Sequence, residues 1–214
     1  GRKRGVAAGL RGVRGAAGGR AAEPLVLAAG AGSVCPVVVA ADATTAERHA
    51  ADELSRHLQR ACGAAFPVTN APPAAGPAIT LAHDAALAAE EYRLRADPAA
   101  GRLAIAGGRP RGVLHGAYAL LDRELGCRWF TPSADLVPHR DRLELPGDLD
   151  RRARPRLEYR EVFWTEAFDG DWAARNRLNG MHARLQDRHG GKVSYGPFVH
   201  TFRLILDPDR HFQE

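Results

Sequence analysis

The chain has 214 residues, of which 45% are hydrophobic and 26% are charged. This composition is typical of a globular protein and excludes fibrous and wholly disordered classes. The sequence contains no run of about 18 apolar residues, the length that could span a bilayer, so we expect no membrane partner. The net charge of +5 suggests a nucleic-acid partner, but six basic and no acidic residues lie within Gly1–Ala22, which leaves 24 of the 30 basic residues against 25 acidic ones. A nucleic-acid-binding domain needs a basic face on its folded part, so we expect no nucleic-acid partner.

Residues 1–22 are predicted to form a disordered basic tail, because Gly, Ala and Arg recur there without apolar periodicity. Arg11 and Arg14 interrupt the apolar stretch that a signal peptide requires. The chain starts with Gly1 instead of Met and ends at Glu214 with no sign of a stop. We therefore interpret it as a fragment, and its localisation is not set by these features.

The clearest helix signal follows residue 44. Thr44 and Glu47 have the spacing of a capping box, in which each side chain binds a free amide of the first turn. Apolar residues then recur at helical spacing, namely Ala46, Ala50, Leu54, Leu58 and Ala61. Gly63 is suited to the C-terminal stop. The pattern predicts a helix from about Thr45 to Cys62.

Short strand-like runs flank this helix, at 25–27, 36–39, 66–68, 78–81, 91–95, 101–105, 128–130 and 143–146. The pair 91–95 and 101–105 is predicted to form a hairpin. A second helix is expected from Pro110 to Gly126, with an apolar stripe. The fold class predicted for residues 23–150 is therefore α/β (α+β-like), a small mixed-sheet domain with two main helices.

A second unit is predicted at residues 151–214. The polar stretch Gly147–Pro155 has the composition of a linker. After it we expect a strand at Leu157–Trp164, a helix at Trp172–Met181 and a strand at Phe198–Phe202. About 60 residues cannot close a (β/α)8 barrel, which needs about 250, so this unit is interpreted as the truncated start of one.

Three residues of this unit are candidate substrate-binding residues. If residues 157–164 form a barrel strand, Arg160 and Trp164 share one face, where a guanidinium can donate to sugar hydroxyls and an indole can stack on a sugar ring. The alternative for Arg160 is a structural ion pair with Glu166 or Asp169. His200 lies between Phe198 and Phe202, either as a ligand-binding residue or as a core histidine.

No cofactor, metal site or catalytic residue is assigned. The segment Gly107–Gly112 lacks phosphate-loop spacing and predicts a tight strand-to-helix turn. The nine histidines show no metal-ligand spacing, and His49 and His57 are expected at the solvated side of the first helix. The three cysteines are expected to be buried thiols. Carboxylates cluster after the predicted strand, but their separation, on which glycoside hydrolysis depends, cannot be derived from sequence.

Three stretches carry a resemblance to known proteins: Ala51–Gly63, Gly108–Phe130 and Pro155–Arg160. They resemble the N-terminal domain shared by bacterial α-glucuronidases and β-N-acetylhexosaminidases, followed by the opening of a catalytic barrel. The most similar pattern is that of an uncharacterised bacterial family that joins this domain to a barrel of unknown activity. The resemblance implies that Arg160, in the pair Tyr159–Arg160, contacts the sugar; Glu161 departs from the Gly usual after this arginine.

The resemblance implies an O-glycosyl hydrolase of polysaccharide catabolism, secreted or periplasmic, with an oligo- or polysaccharide as partner. The catalytic acids of such enzymes lie on later barrel strands, so we expect this fragment to be inactive and to pack against the missing remainder of its own barrel. Two alternatives stay open: a non-catalytic carbohydrate-binding or assembly module, and nucleic-acid binding through the Arg-rich tail.

Overall fold

The computed structural model of the protein describes residues 22–196, 201, 205 and 206. Within them the chain forms ten strands and three α-helices: β1 Leu25–Ala28, β2 Val37–Val39, α1 Thr45–Cys62, β3 Val68–Thr69, β4 Ala78–His83, β5 Tyr92–Asp97, β6 Arg102–Gly107, α2 Gly112–Ala119, β7 Arg128–Trp129, β8 Asp135–Leu136, β9 Leu143–Leu145, β10 Asp150–Ala153 and α3 Gly170–Arg175. A π-helical turn, Leu120–Glu124, extends α2, and two 3-10 turns lie at Thr165–Phe168 and Asp187–His189.

The main sheet has six strands in the order β10-β5-β6-β4-β2-β3. The strands β6, β4, β2 and β3 are mutually parallel, whereas β5 is antiparallel to β6 and β10 is antiparallel to β5. Two small antiparallel sheets, β1–β9 and β7–β8, complete the fold. This is the mixed α/β sheet with helices that the sequence predicted.

The core lies between this sheet and the helices α1 and α2. Strand register aligns two rows of apolar side chains across the four central strands: Ala96, Leu103, Ile79 and Val37, and Leu94, Ile105, Leu81 and Val39. Helix α2 packs so closely on them that a Cβ at Gly116 would meet Ile105 and Tyr92. All eight residues of α2 are buried, as in a helix covered on every side.

Helix α1 begins and ends where the sequence predicts. The amide of Glu47 donates to Oγ1 of Thr44 at 3.2 Å, and the amide of Thr44 donates to Oε2 of Glu47 at 2.8 Å, so the capping box is confirmed. Gly63 adopts a left-handed φ of 72° and its amide donates to the carbonyl of Gln59, which is the expected C-terminal stop. The 91–105 hairpin is confirmed as well.

The predicted linker Gly147–Pro155 instead contains β10, the edge strand beside β5. Its sequence, Asp-Arg-Arg-Ala, has no apolar alternation, because the strand is held by backbone pairing and by an ion pair. Nε of Arg93 on β5 donates to Oδ1 of Asp150 at 2.7 Å. Strand β8 was also missed. The division between the two predicted units stays a prediction.

The predicted strand Leu157–Trp164 was wrong as a strand, because no ladder forms at these positions among the described residues. A β-strand takes its hydrogen bonds from a neighbouring strand, and sequence alternation cannot supply that neighbour. The predicted helix Trp172–Met181 is the shorter α3, which ends at Arg175. Residues 1–21 of the predicted tail and most of Phe198–Phe202 lie outside the described residues, and the truncated barrel stays a prediction.

The three cysteines are free and buried, as expected. Burial raises the pKa of the Cys35 thiol to about 12 and that of Cys127 to about 11, so both stay protonated near neutral pH. No helix among the described residues is long and apolar enough to cross a membrane.

Candidate functional site

Arg160 lies at the junction between the mixed-sheet domain and the segment that follows it. Its Nε donates to the carbonyl of Arg177 at 2.7 Å, and its Nη1 donates to the carbonyl of Leu157 at 2.6 Å. Its Nη2 lies 2.9 Å from Oε2 of Glu90, without the alignment of a hydrogen bond. The ion pair considered from sequence is therefore formed with Glu90, and not with Glu166 or Asp169.

Glu90 is the buried anion of this junction. It also forms an ion pair with Arg111, whose Nη2 lies 2.6 Å from Oε1 of Glu90, and both side chains are buried. Burial acts to raise the pKa of Glu90, but the guanidinium of Arg160 and the charge of Arg111 outweigh it, so the pKa is lowered and the carboxylate stays ionised. No sequence pattern marked Glu90, because it pairs with residues far along the chain.

Asn179 completes this group, and we name Glu90, Arg111, Arg160 and Asn179 the Arg160 cluster. The Asn179 side chain is fully buried. Its Nδ2 donates to the carbonyl of Glu158 at 2.7 Å and to Oε1 of Glu90 at 3.2 Å, and its Oδ1 accepts the amide of Arg160. Both donors and the acceptor of this amide are therefore used, which fixes the chain around Arg160 to the domain.

The indole of Trp164 is half exposed, at 51%, and the neighbouring Phe163 ring is 75% exposed. Trp164 contacts Trp172 edge-on, with ring centroids 6.4 Å apart. The structure therefore brings Arg160 and Trp164 to different environments, one largely enclosed and one at the surface. His200 lies outside the described residues.

Three of the four carboxylates in the segment 161–171 are engaged in local structure, whereas Glu166 has a buried Oε2 without a hydrogen-bond partner among the described residues. Glu161 accepts the Tyr159 hydroxyl at 2.6 Å and the His182 amide at 2.8 Å. Asp169 caps α3 by accepting the Trp172 amide at 2.8 Å. Asp171 accepts from the ring of His189. These contacts hold the local backbone in place. Glu161, Asp169 and Asp171 therefore do not provide two free carboxylates that face each other.

His49, Asp171 and His189 bring three possible metal-ligand atoms within 4.8 Å of one another. The amide of Gln186 donates to Nδ1 of His189 at 3.0 Å, so a neutral ring carries its proton on Nε2. That Nε2 donates to Oδ1 of Asp171 at 2.8 Å, and Arg188 lies 3.0 Å from the same oxygen. Metal binding would have to displace the Nε2 proton of His189, and Nε2 of His49 is buried without a hydrogen-bond partner among the described residues. In the structure His189, Asp171 and Arg188 form a hydrogen-bonded and ion-paired cluster.

A second buried network connects α1 to the C-terminal segment. Arg175 donates to both carboxylate oxygens of Glu53, at 2.8 and 3.3 Å. The indole of Trp129 donates to Nε2 of His57 at 3.1 Å, and Trp172 donates to the carbonyl of Trp129 at 3.0 Å. The expectation that His57 faces solvent was wrong, because Trp129 covers this side of α1 and leaves His57 only 1% exposed.

A cleft of about 300 Å³ opens beside the Arg160 cluster. Five arginines and no carboxylate line it, and we name it the arginine cleft: Arg123, Arg154, Arg156, Arg160 and Arg177. Sequence reasoning missed it, because Arg123 and Arg177 come from different segments than the Arg-rich stretch after β10.

Comparisons with family models divide the chain in two. Residues 29–122 match the model described as glycosyl hydrolase family 20, domain 2, and residues 129–214 match a domain of unknown function, DUF4838. No curated protein sequence matches the chain.

The chain is similar to several solved structures at low identity, and the likeness to the first of them shows the fold. The N-acetyl-β-hexosaminidase of Streptomyces plicatus, in complex with Thio-NAglucal, is 23% identical with a TM-score of 0.50, over 74% of this chain and 31% of that one. The β-N-acetylhexosaminidase of Bacteroides fragilis is 14% identical (TM-score 0.47, 76% and 30%). A family GH115 4-O-methyl-α-glucuronidase is 13% identical (TM-score 0.46, 70% and 25%). The chain thus spans about a third of the length of the hexosaminidases that it matches. It joins a domain of the glycosyl hydrolase family 20, domain 2 type to an uncharacterised domain of the DUF4838 type, as the resemblance predicted.

Proposed function

We propose that this chain is the N-terminal part of a carbohydrate-active protein, an O-glycosyl hydrolase of polysaccharide catabolism. The match of residues 29–122 to a glycosyl hydrolase domain supports the class. The observation that carries the role is the buried junction, in which Glu53 binds Arg175 and Glu90 binds Arg160. Two buried ion pairs across this junction support a domain that buttresses the unit that follows it.

The substrate-contact role of Arg160, Trp164 and His200 belongs to this proposal. An exposed indole is suited to stacking on a sugar ring, and the Trp164 indole is half exposed. Arg160 would act mainly by holding the local backbone, because its donors already face carbonyls of Leu157 and Arg177. Exposed Leu157 and Phe163 would pack partly against the remainder of the barrel, and the catalytic carboxylates would come from that remainder.

The test measures glycan binding and hydrolysis by the complete protein, with Arg160→Ala and Trp164→Ala as variants. Trp164→Ala is expected to weaken glycan binding with an unchanged melting temperature, because the indole is half exposed. Arg160→Ala is expected to lower the melting temperature as well. The proposal fails if the complete protein neither binds nor hydrolyses any glycan, and the residue assignment fails if Trp164→Ala binds glycans normally.

The second candidate is a non-catalytic carbohydrate-binding or assembly module. The exposed rings of Phe130, Phe163 and Trp164 favour it, at 58, 75 and 51% exposure, because stacking platforms are built from such rings. Glycan binding by the complete protein without any turnover would select this candidate. Turnover that depends on carboxylates beyond this chain would select the hydrolase.

A further inference from the structure

The arginine cleft carries more positive charge than the surrounding protein neutralises. Among the described residues, Arg123, Arg154 and Arg156 are exposed and form no ion pair. Arginines on the neighbouring strand β10 differ, since Arg151 pairs with Glu124 at 3.0 Å and Arg152 pairs with Glu91 at 2.8 Å. Arg95 on β5 is also exposed and unpaired among the described residues, so what distinguishes the cleft is that three such guanidinium groups line one concave site.

The floor of the cleft also contains one guanidinium nitrogen that is not satisfied. Nη2 of Arg177 donates to Asp122 at 2.7 Å, but its Nη1 is buried without a partner among the described residues. Buried donors without acceptors are uncommon and call for an explanation, such as a ligand or water that is bound there.

Two residues with left-handed backbone conformations lie beside Arg160. Only Glu90 and Arg177 among the described non-glycine residues adopt a left-handed φ, 64° and 58°, and both contact Arg160. Arg177 takes this φ at the end of α3, where its amide donates to the carbonyl of Ala174 and the amide of Leu178 donates to the carbonyl of Ala173, the usual pattern of a helix C-terminus. This helix end places Arg177 at the cleft.

Converging guanidinium groups raise the local positive potential and favour one kind of ligand. Each presents a planar fork of donors that matches the two oxygens of a carboxylate or sulfate. A cleft of about 300 Å³ is at the small end of ligand-binding sites, which fits one or two sugar rings better than an extended phosphate chain.

We propose that the arginine cleft binds an anionic saccharide through the carboxylate or sulfate on its ring, with Arg154 and Arg156 as the main contacts and Arg123 beside them. That the ligand is a saccharide rests on the proposed function, whereas its negative charge is inferred from the arginines of the cleft alone. The site is separate from the exposed Trp164 indole, so it would recognise a charged group at a distance from that platform.

The experiment is calorimetric titration of the 214-residue chain, and of the complete protein, with three matched sugars: trigalacturonate, a sulfated galactotriose and neutral galactotriose. The variant is Arg154→Gln/Arg156→Gln. The control, Arg95→Gln/Arg184→Gln, removes the same charge from exposed arginines outside the cleft. We expect anionic sugars to bind about tenfold or more tightly than the neutral one, and the cleft variant to lose about that factor. The control should stay within about twofold, with all melting temperatures alike.

Several outcomes would overturn the proposal. These are equal losses in both double variants, equal affinity for neutral galactotriose, displacement of the sugar by sodium sulfate at equal concentration, tighter binding of a DNA oligonucleotide, and binding by the chain that disappears in the complete protein. The trigalacturonate and sulfated arms identify which anion is preferred. If one of these outcomes is found while the complete protein still binds or hydrolyses neutral glycans, only the cleft proposal fails. If the complete protein binds no glycan at all, the proposed function fails as well.

Discussion

Arg160 and Asn179 bind each other through two hydrogen bonds. The amide of Arg160 donates to Oδ1 of Asn179 at 2.8 Å, and the amide of Asn179 donates to the carbonyl of Arg160 at 3.0 Å. The pair therefore gives residue 160 the backbone partner that the absent ladder does not supply. It also aligns the guanidinium of Arg160 with Glu90, and so couples the domain to the segment after it.

Asn179→Asp should destabilise the protein although it changes one atom. Nδ2 of Asn179 faces two acceptors, the carbonyl of Glu158 and Oε1 of Glu90, and a carboxylate oxygen there would repel both. We expect a loss of about 3 kcal/mol in the free energy of unfolding, measured by urea denaturation. The same change at exposed Asn70 should have no measurable effect, and equal effects at both positions would contradict this account.

Glu53→Gln should be more costly than the loss of a comparable surface pair. The Glu53 and Arg175 side chains are only 5 and 11% exposed, so the variant leaves a guanidinium unpaired in a poorly solvated site. We expect a loss of about 3–5 kcal/mol. The matched control is Asp135→Asn, whose partner Arg60 also lies on α1 but is 44% exposed, and its cost should be below about 1 kcal/mol. Thermal melts of both variants decide the comparison, and similar costs would count against it.

Local signals in the sequence were sufficient for α1 and for the β5–β6 hairpin. A capping box and a glycine stop act within a few residues, so Thr44, Glu47 and Gly63 define the helix without help from the rest of the chain. The same holds for the tight turn at Gly107 and Gly108. The family resemblance is likewise carried by three short stretches of sequence, each of which can be recognised without knowing what it contacts.

Contacts between distant residues could not be predicted in this way. Glu53 and His57 lie on the polar side of α1, and periodicity assigns that side to solvent. In the structure Arg175 and Trp129 cover it. Similarly, Glu90 is an unremarkable acidic residue until the fold brings Arg111 and Arg160 to it. Pairs that are about 20 to 120 residues apart leave no local pattern.

Gly108→Ala should prevent stable folding. A Cβ at Gly108 would overlap the carbonyl oxygens of Ala88 and Leu87, and the Ala88 carbonyl is held in the turn before β5, where it accepts the amide of Glu91 at 3.0 Å. We expect a loss of at least about 3 kcal/mol or an insoluble product. Gly32→Ala is the control, because nothing lies within 4 Å of its added Cβ. Circular dichroism and expression yield separate the two, and a folded Gly108→Ala protein would contradict the predicted overlap.

Acidification should destabilise the protein before its carboxylates titrate. Nδ1 of His57 lies 2.7 Å from the carbonyl of Glu53, and its Nε2 accepts the Trp129 indole, which requires a neutral ring. Burial lowers the pKa of His57, and burial lowers that of His115 to about 3. At pH values between the lowered pKa of each folded-state histidine and the unfolded pKa of about 6.5, the unfolded chain binds more protons than the folded chain. Stability is therefore complete above about pH 6.5 and falls as the pH drops toward the folded pKa values.

Urea denaturation at a series of pH values measures this effect. The free energy of unfolding should fall between about pH 6.5 and pH 5, by up to about 1.4 kcal/mol per pH unit for each buried histidine. His57→Gln should reduce the slope, because one proton fewer is then taken up on unfolding. His139→Gln, which replaces a ring that is 75% exposed, should leave the slope unchanged. A wild-type free energy that is flat over this range would mean that the buried rings accept protons in the folded state.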